Sequence, residues 1–131
     1  MDTPERLQLY IDNEISAAAL YRRLANIAED QTVKELLNEF AEDEMNHADR
    51  FMEMYRMLTG KMHFPTETHP NISGSLKDAL LDRVLEESND AANYGKEAYI
   101  TANNEVLKHM FHEAATKENF HTVRLLYMIH K

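Results

Sequence analysis

Two copies of one short motif constrain this chain more than anything else in it. Glu44-Met45-Asn46-His47 and Glu118-Asn119-Phe120-His121 both read Glu-x-x-His. Residues three apart on a helix share a face, so each motif aims a carboxylate and an imidazole in one direction. The flanking apolar residues set that direction. Val33, Leu37, Phe40, Phe51, Met54 and Leu58 fall on the stripe that holds Glu44 and His47. Leu107, Phe111, Ala114, Leu125 and Met128 fall on the stripe that holds Glu118 and His121. A carboxylate buried without a partner costs several kcal/mol. Acids on core-facing stripes therefore require a cation among them, and a pair of metal ions supplies it.

The rest of the chain is patterned as helix. Asp2-Thr3-Pro4-Glu5 is a helix start, with Asp as cap and Pro in the first turn. Leu7, Ile11, Ala18, Tyr21, Ala25 and Ala28 then trace one apolar face that also carries Glu14. Thr32 to Glu35 reads as a capping box for a second helix, stopped by Gly60. Residues 61–74 contain Pro65, Pro70, Asn71 and Gly74 and form a long loop, enough to cross the end of a helical bundle. Ser75 caps a third helix whose inner line runs through Leu76, Leu80, Val84, Glu87, Ala91, Tyr94 and Ala98. A break at Thr101–Asn104 leads into the last helix. The predicted helices are 3–29, 32–59, 75–101 and 104–130, within one all-α domain spanning 1–131. That is a four-helix bundle of two antiparallel hairpins joined by a long crossover.

The two halves repeat one another. Glu14, Tyr21, Glu44 and His47 correspond to Glu87, Tyr94, Glu118 and His121, with Ala18 and Ala41 matching Ala91 and Ala115. Register supports a common level. At 1.5 Å per residue, Glu14 and Glu44 lie roughly 24 and 21 Å from the turn near residue 30. Glu87 and Glu118 lie about 24 and 22 Å from the turn near 103, whereas Glu97 is only about 9 Å away and fails this test. One Glu from each of two helices and a Glu-x-x-His from each of the others is the donor set of a dinuclear carboxylate centre. Its predicted ligands are Glu14, Glu44, His47, Glu87, Glu118 and His121. Oxygen donors with a few imidazoles suit two iron ions, or manganese, and no thiolate is present to favour softer metals.

Composition excludes other classes. The chain has no Cys, which removes disulfides, zinc–thiolate sites and iron–sulfur centres. A net charge of −9 is wrong for a nucleic-acid partner. The sequence shows no leader and no apolar run of membrane-spanning length, so it predicts no membrane partner and a cytoplasmic location. His63, His69, His109, His112 and His130 are expected at the surface. The methionines at 45, 52, 54, 57 and 62, with Phe51 and Tyr55, are expected to fill core or a face for a homodimer or larger homo-oligomer.

The paired Glu-x-x-His motifs, each preceded by Glu-x6-Tyr, resemble the rubrerythrin-like branch of the ferritin-like proteins from Glu14 to His121. The resemblance implies a di-iron protein that reduces hydrogen peroxide with electrons from a separate redox protein, the rubredoxin-like domain being absent from a Cys-free chain. It implies that Tyr21 and Tyr94 stand beside the ligands, hydrogen-bonding and orienting their carboxylates. It also implies a redox-exchangeable ligand three residues after Glu87, where this chain has Asp90, one methylene shorter than the family's Glu. Glu44 and Glu118 are the bridging candidates, Glu14 and Glu87 the terminal ones. Peroxide or dioxygen reduction is the first expectation. Alternatives are iron binding with ferroxidase activity for storage or detoxification, and a di-iron hydroxylase or manganese catalase-like enzyme.

Overall fold

A computed structural model describes residues 1–66, 68–72 and 74–131, and Glu67 and Ser73 of the expected crossover lie outside them. It contains four helices: α1 (Thr3–Ile27), α2 (Gln31–Thr59), α3 (Leu76–Ile100) and α4 (Glu105–His130). They group as two compact units, Met1–Asn71 and Ile72–Lys131, each built on one helical hairpin.

In the first hairpin, Tyr10 meets Phe51, Glu14 meets His47 and Tyr21 meets Phe40. Each step forward on α1 is matched by one backward on α2, so the helices are antiparallel. Leu7, Ile11, Tyr21, Leu24, Leu37, Phe40 and Phe51 are buried along this seam. Full burial of such a side chain stabilises by about 1.5–3 kcal/mol. Asp2 caps α1, its carboxylate accepting from the Glu5 amide, as the sequence predicts.

The helix ends differ from expectation by a residue or two. α1 stops at Ile27 rather than 29, and Ala28 is extended yet buried, so the apolar stripe outlasts the helix. α2 begins at Gln31 because Asp30, not Thr32, is its cap: the Asp30 carboxylate accepts from the Val33 amide at 3.0 Å. A carboxylate at a helix N-terminus also favours the macrodipole, and Thr32 is left inside the first turn. At the other end Gly60 takes φ 72°, the left-handed stop that glycine adopts without a Cβ penalty.

Two expectations for α2 and the crossover are corrected. Leu58 is exposed, since the α1–α2 pairing puts it level with Thr3, where α1 only begins. Phe51, Met54 and Tyr55 are core residues, the first of the two roles expected of them. His63 is not a free surface residue: its Nε2 lies 2.8 Å from Asp12 Oδ1, its Nδ1 3.3 Å from Gln8, and its ring stands edge-on to Tyr55. Farther on, Arg23 donates to the Pro70 carbonyl at 3.0 Å. Gln8, Asp12 and Arg23 share one flank of α1. The crossover therefore runs along α1 for roughly 15 Å or more rather than passing over an end.

In the second hairpin Tyr94 stacks on Phe111 and Glu87 meets His121, again antiparallel. α3 spans 76–100 rather than 75–101, with Ser75 and Asp78 forming a reciprocal capping box. α4 begins at Glu105, not 104, and Asn104 caps it by accepting from the Leu107 amide. Asn103 sits at φ 61°, a conformation that Asn tolerates better than most residues. No helix among the described residues is long and apolar enough to cross a membrane.

Candidate metal centre

Each hairpin carries a triad of two carboxylates and one imidazole. All six residues are 7 % exposed or less. Glu14, Glu44 and His47 each bring one donor atom to within 4.8 Å of the others, and Glu87, Glu118 and His121 do the same. The sequence-predicted ligands are thus gathered within each half by helix register alone. Glu14 comes from α1 and the Glu-x-x-His from α2; Glu87 comes from α3 and its Glu-x-x-His from α4.

The triads are alike in outline and different in detail. His47 Nδ1 stands 3.3 Å from Glu14 Oε2 and 3.9 Å from Glu44 Oε1. His121 Nδ1 stands 3.5 Å from Glu87 Oε2 and 3.6 Å from Glu118 Oε1. The second triad has a guanidinium attached: Arg83, one turn before Glu87, donates to Glu87 Oε1 at 3.1 Å. Burial alone would push the Glu87 carboxyl up. The close approach of Glu118 and His121 and the positive charges of His121 and Arg83 outweigh it, holding Glu87 down at about 2. Arg83 was not singled out from sequence, although its i, i+4 spacing to Glu87 is the one signal that points to it. Its counterpart in the first half is Tyr10, which packs on Phe51 instead.

Tyr21 and Tyr94 are buried two turns after Glu14 and Glu87. Tyr21 is held edge-on to Phe40 and Tyr94 is stacked on Phe111. Helical side chains lean toward the N-terminus, so both phenols lean back toward the carboxylate of their own helix. Asp90 is half-buried on α3 and is not among the gathered donors. Glu97 is also outside them, as its height implied, yet it is buried, which sequence spacing did not reveal. His109 and His112 are exposed as expected, and His109 lies 3.5 Å from Glu113 on the α4 surface.

The donor chemistry fits a pair of divalent ions. Four carboxylates balance two such charges, and two imidazoles add the nitrogen donors found with iron and manganese. Buried carboxylate–imidazole triads on two helical hairpins are the kind of donor set with which four-helix, ferritin-like proteins hold metal. The comparisons make this specific: the Rubrerythrin family model matches residues 5–129, and the chain belongs to the rubrerythrin family. Among its relatives is the uncharacterized protein YhjR of Bacillus subtilis (strain 168), 29 % identical over 123 residues, covering 94 % of this chain and 83 % of the relative. A hypothetical protein from Pyrococcus furiosus, Pfu-1136390-001, shares the fold at a TM-score of 0.86 and 23 % identity, covering 99 % of this chain and 89 % of that one. The all-α four-helix-bundle architecture expected from the sequence is thus shared along the chain's length.

Proposed function

We propose that the two triads form one dinuclear iron centre that reduces hydrogen peroxide, with electrons from a separate redox protein. The observation that carries this is the pair of buried Glu–Glu–His triads at corresponding positions of both hairpins in a rubrerythrin-family chain. Glu14, Glu44 and His47 would hold one iron, and Glu87, Glu118 and His121 the other. When bound, the iron pair supplies the two-electron redox capacity that no side chain of this chain possesses.

The protein's own part is positioning, exclusion of water and control of protons. Leu7, Phe40, Phe51, Phe111 and Leu125 bury the triads in apolar surroundings, where electrostatic interactions are stronger than in water. The imidazoles of His47 and His121 are held by their neighbouring carboxylates, which fixes their ring orientation. The phenols of Tyr21 and Tyr94 would orient the ligand carboxylates. One peroxide takes two electrons and two protons and leaves as two waters.

The test is turnover of iron-loaded protein with a reduced iron–sulfur protein as donor. The expected result is one peroxide consumed for every two electrons oxidised from the donor, without release of oxygen. Oxygen release without a reductant would replace this reading with a catalase. Iron accumulating well beyond two per chain in a large assembly would replace it with storage.

A further inference from the structure

The two hairpins match at their triads and differ along the line that runs on from the first glutamate of each. In α1 that line is Glu14, Ala17, Tyr21, Leu24 and Ala28; in α3 the corresponding residues are Glu87, Asp90, Tyr94, Glu97 and Thr101. All five residues of the first set are buried, and between and beyond Glu14 and Tyr21 they are apolar. The second set has an acid or a hydroxyl at every position.

Glu97 most needs a reason. It is 4 % exposed, and its counterpart Leu24 is fully buried. The position therefore accepts an apolar side chain, and a carboxylate there carries a desolvation cost that leucine does not. Glu97 is not among the gathered donors, so metal binding does not account for it.

Spacings of three, four, three and four residues keep the set on one stripe of α3, about 21 Å long at 1.5 Å per residue. The Cβ atoms of successive members lie about 5–6 Å apart, within reach of a direct or one-water hydrogen bond. One end of the stripe is the triad of Glu87, Glu118 and His121. The other is half-buried Thr101, whose hydroxyl donates to the Glu97 carbonyl at 2.6 Å, followed by exposed Ala102 and Asn103. Acids and hydroxyls thus lead from the surface to a buried triad.

We propose that this stripe carries protons, with Glu97 taking them up at the α3–α4 turn and passing them through Tyr94 to the triad. The proposal rests on the peroxide reading above, which requires them. Breaking the O–O bond of one peroxide takes two electrons from the donor protein and two protons, and yields two waters. A carboxyl group gives up and regains a proton, which the leucine at the same place in the first hairpin cannot do. Protons are therefore supplied from one hairpin. Glu97 touches neither peroxide nor metal and acts only through Tyr94.

The experiment compares two buried phenols. In the full chain loaded with zinc, which has no redox chemistry, NMR reads how fast each tyrosine hydroxyl proton exchanges with water. Tyr94 and Tyr21 are equally hidden, at 2 % and 0 % exposure. The Tyr94 hydroxyl should exchange roughly a hundredfold faster than that of Tyr21, the low end of what a positioned proton-transfer group contributes. Glu97→Leu should remove the difference, and Glu97→Asp should restore part of it. Equal rates in the wild type, or a difference that survives Glu97→Leu, overturn the proposal. The iron-loaded chain gives the second readout. Glu97→Leu should keep its iron while slowing single-turnover peroxide reduction and raising the solvent deuterium isotope effect, with Glu97→Asp intermediate. Unchanged turnover in Glu97→Leu, or loss of iron that Glu97→Asp does not rescue, also overturns it. A wild type that shows the exchange difference but consumes no peroxide keeps the proton path and removes the peroxide reading.

Discussion

At one corresponding position the first hairpin has Tyr10 and the second Arg83. Glu14 faces His47 at 3.3 Å, whereas Glu87 faces His121 at 3.5 Å and Arg83 at 3.1 Å. Tyr10 packs on Phe51 instead. A symmetric donor set does not require symmetric surroundings. What is held in common is the triad of two carboxylates and an imidazole, and what differs is the side chain one turn before its first glutamate. The stripes that run on from Glu14 and Glu87 make the same point, largely apolar in one half and polar in the other.

The largest effects are expected from the ligands themselves, and they test whether the halves are equivalent. Glu44→Leu and Glu118→Leu should each weaken metal binding by more than the roughly 10–100-fold that losing an outer partner costs. Each removes one repelling acid and adds apolar volume, so each metal-free variant should melt at or above the metal-free wild type. A marked loss of metal-free stability in Glu118→Leu alone would mean that its interaction with Glu87 matters more to the fold than repulsion does.

Arg83→Leu should separate the hairpins more finely. Removing a charged hydrogen bond from a buried carboxylate costs about 1.5–3 kcal/mol. Glu87 has a depressed folded pKa, so its favourable contribution is complete above 4.5 and is lost as pH falls toward about 2. The metal-free variant should therefore be less stable than wild type near neutrality, with the gap closing below pH 4.5. Metal loading should shrink the gap as well, because the ions supply the charge. A deficit that persists unchanged at pH 2.5 would assign Arg83 a packing role instead.

Asp90 is the next asymmetry, since the first half has Ala17 in its place. If Asp90 serves as an exchangeable ligand, Asp90→Ala should keep metal content and slow peroxide reduction several-fold, as followed by single-turnover kinetics. Unchanged kinetics would leave Asp90 a polar neighbour and remove this difference between the halves.

Much of this architecture is legible in the residues, for identifiable reasons. Glu14, Glu44, His47, Glu87, Glu118 and His121 declare themselves because helical spacing places acids on otherwise apolar stripes, and the repeat does so twice. Asp2, Gly60 and Ser75 mark helix ends because capping is local chemistry. Asp30 was missed as a cap because Thr32 offers a competing local signal, and only the backbone decides between them. His63 and Leu58 depart from expectation, and the burial of Glu97 goes unsignalled, for a different reason. Their burial depends on where a distant segment lies or a neighbouring helix begins, which periodicity does not encode. Arg83 is an intermediate case: its spacing to Glu87 is visible, but its half-buried rotamer is a tertiary outcome.

Metal stoichiometry tests most directly the proposal that both hairpins contribute equally to one two-metal centre. Protein loaded with ferrous iron under anoxia and freed of excess metal should retain about two ions per chain, from the six-donor count. Loading should raise metal-free stability by about 2.7 kcal/mol at a hundredfold excess over Kd. That gain should fall with pH as protons compete for the carboxylates and imidazoles. His47→Ala and His121→Ala should each lose metal. Elemental analysis giving one ion or none per chain, or two ions that survive loss of either histidine, would contradict the claim.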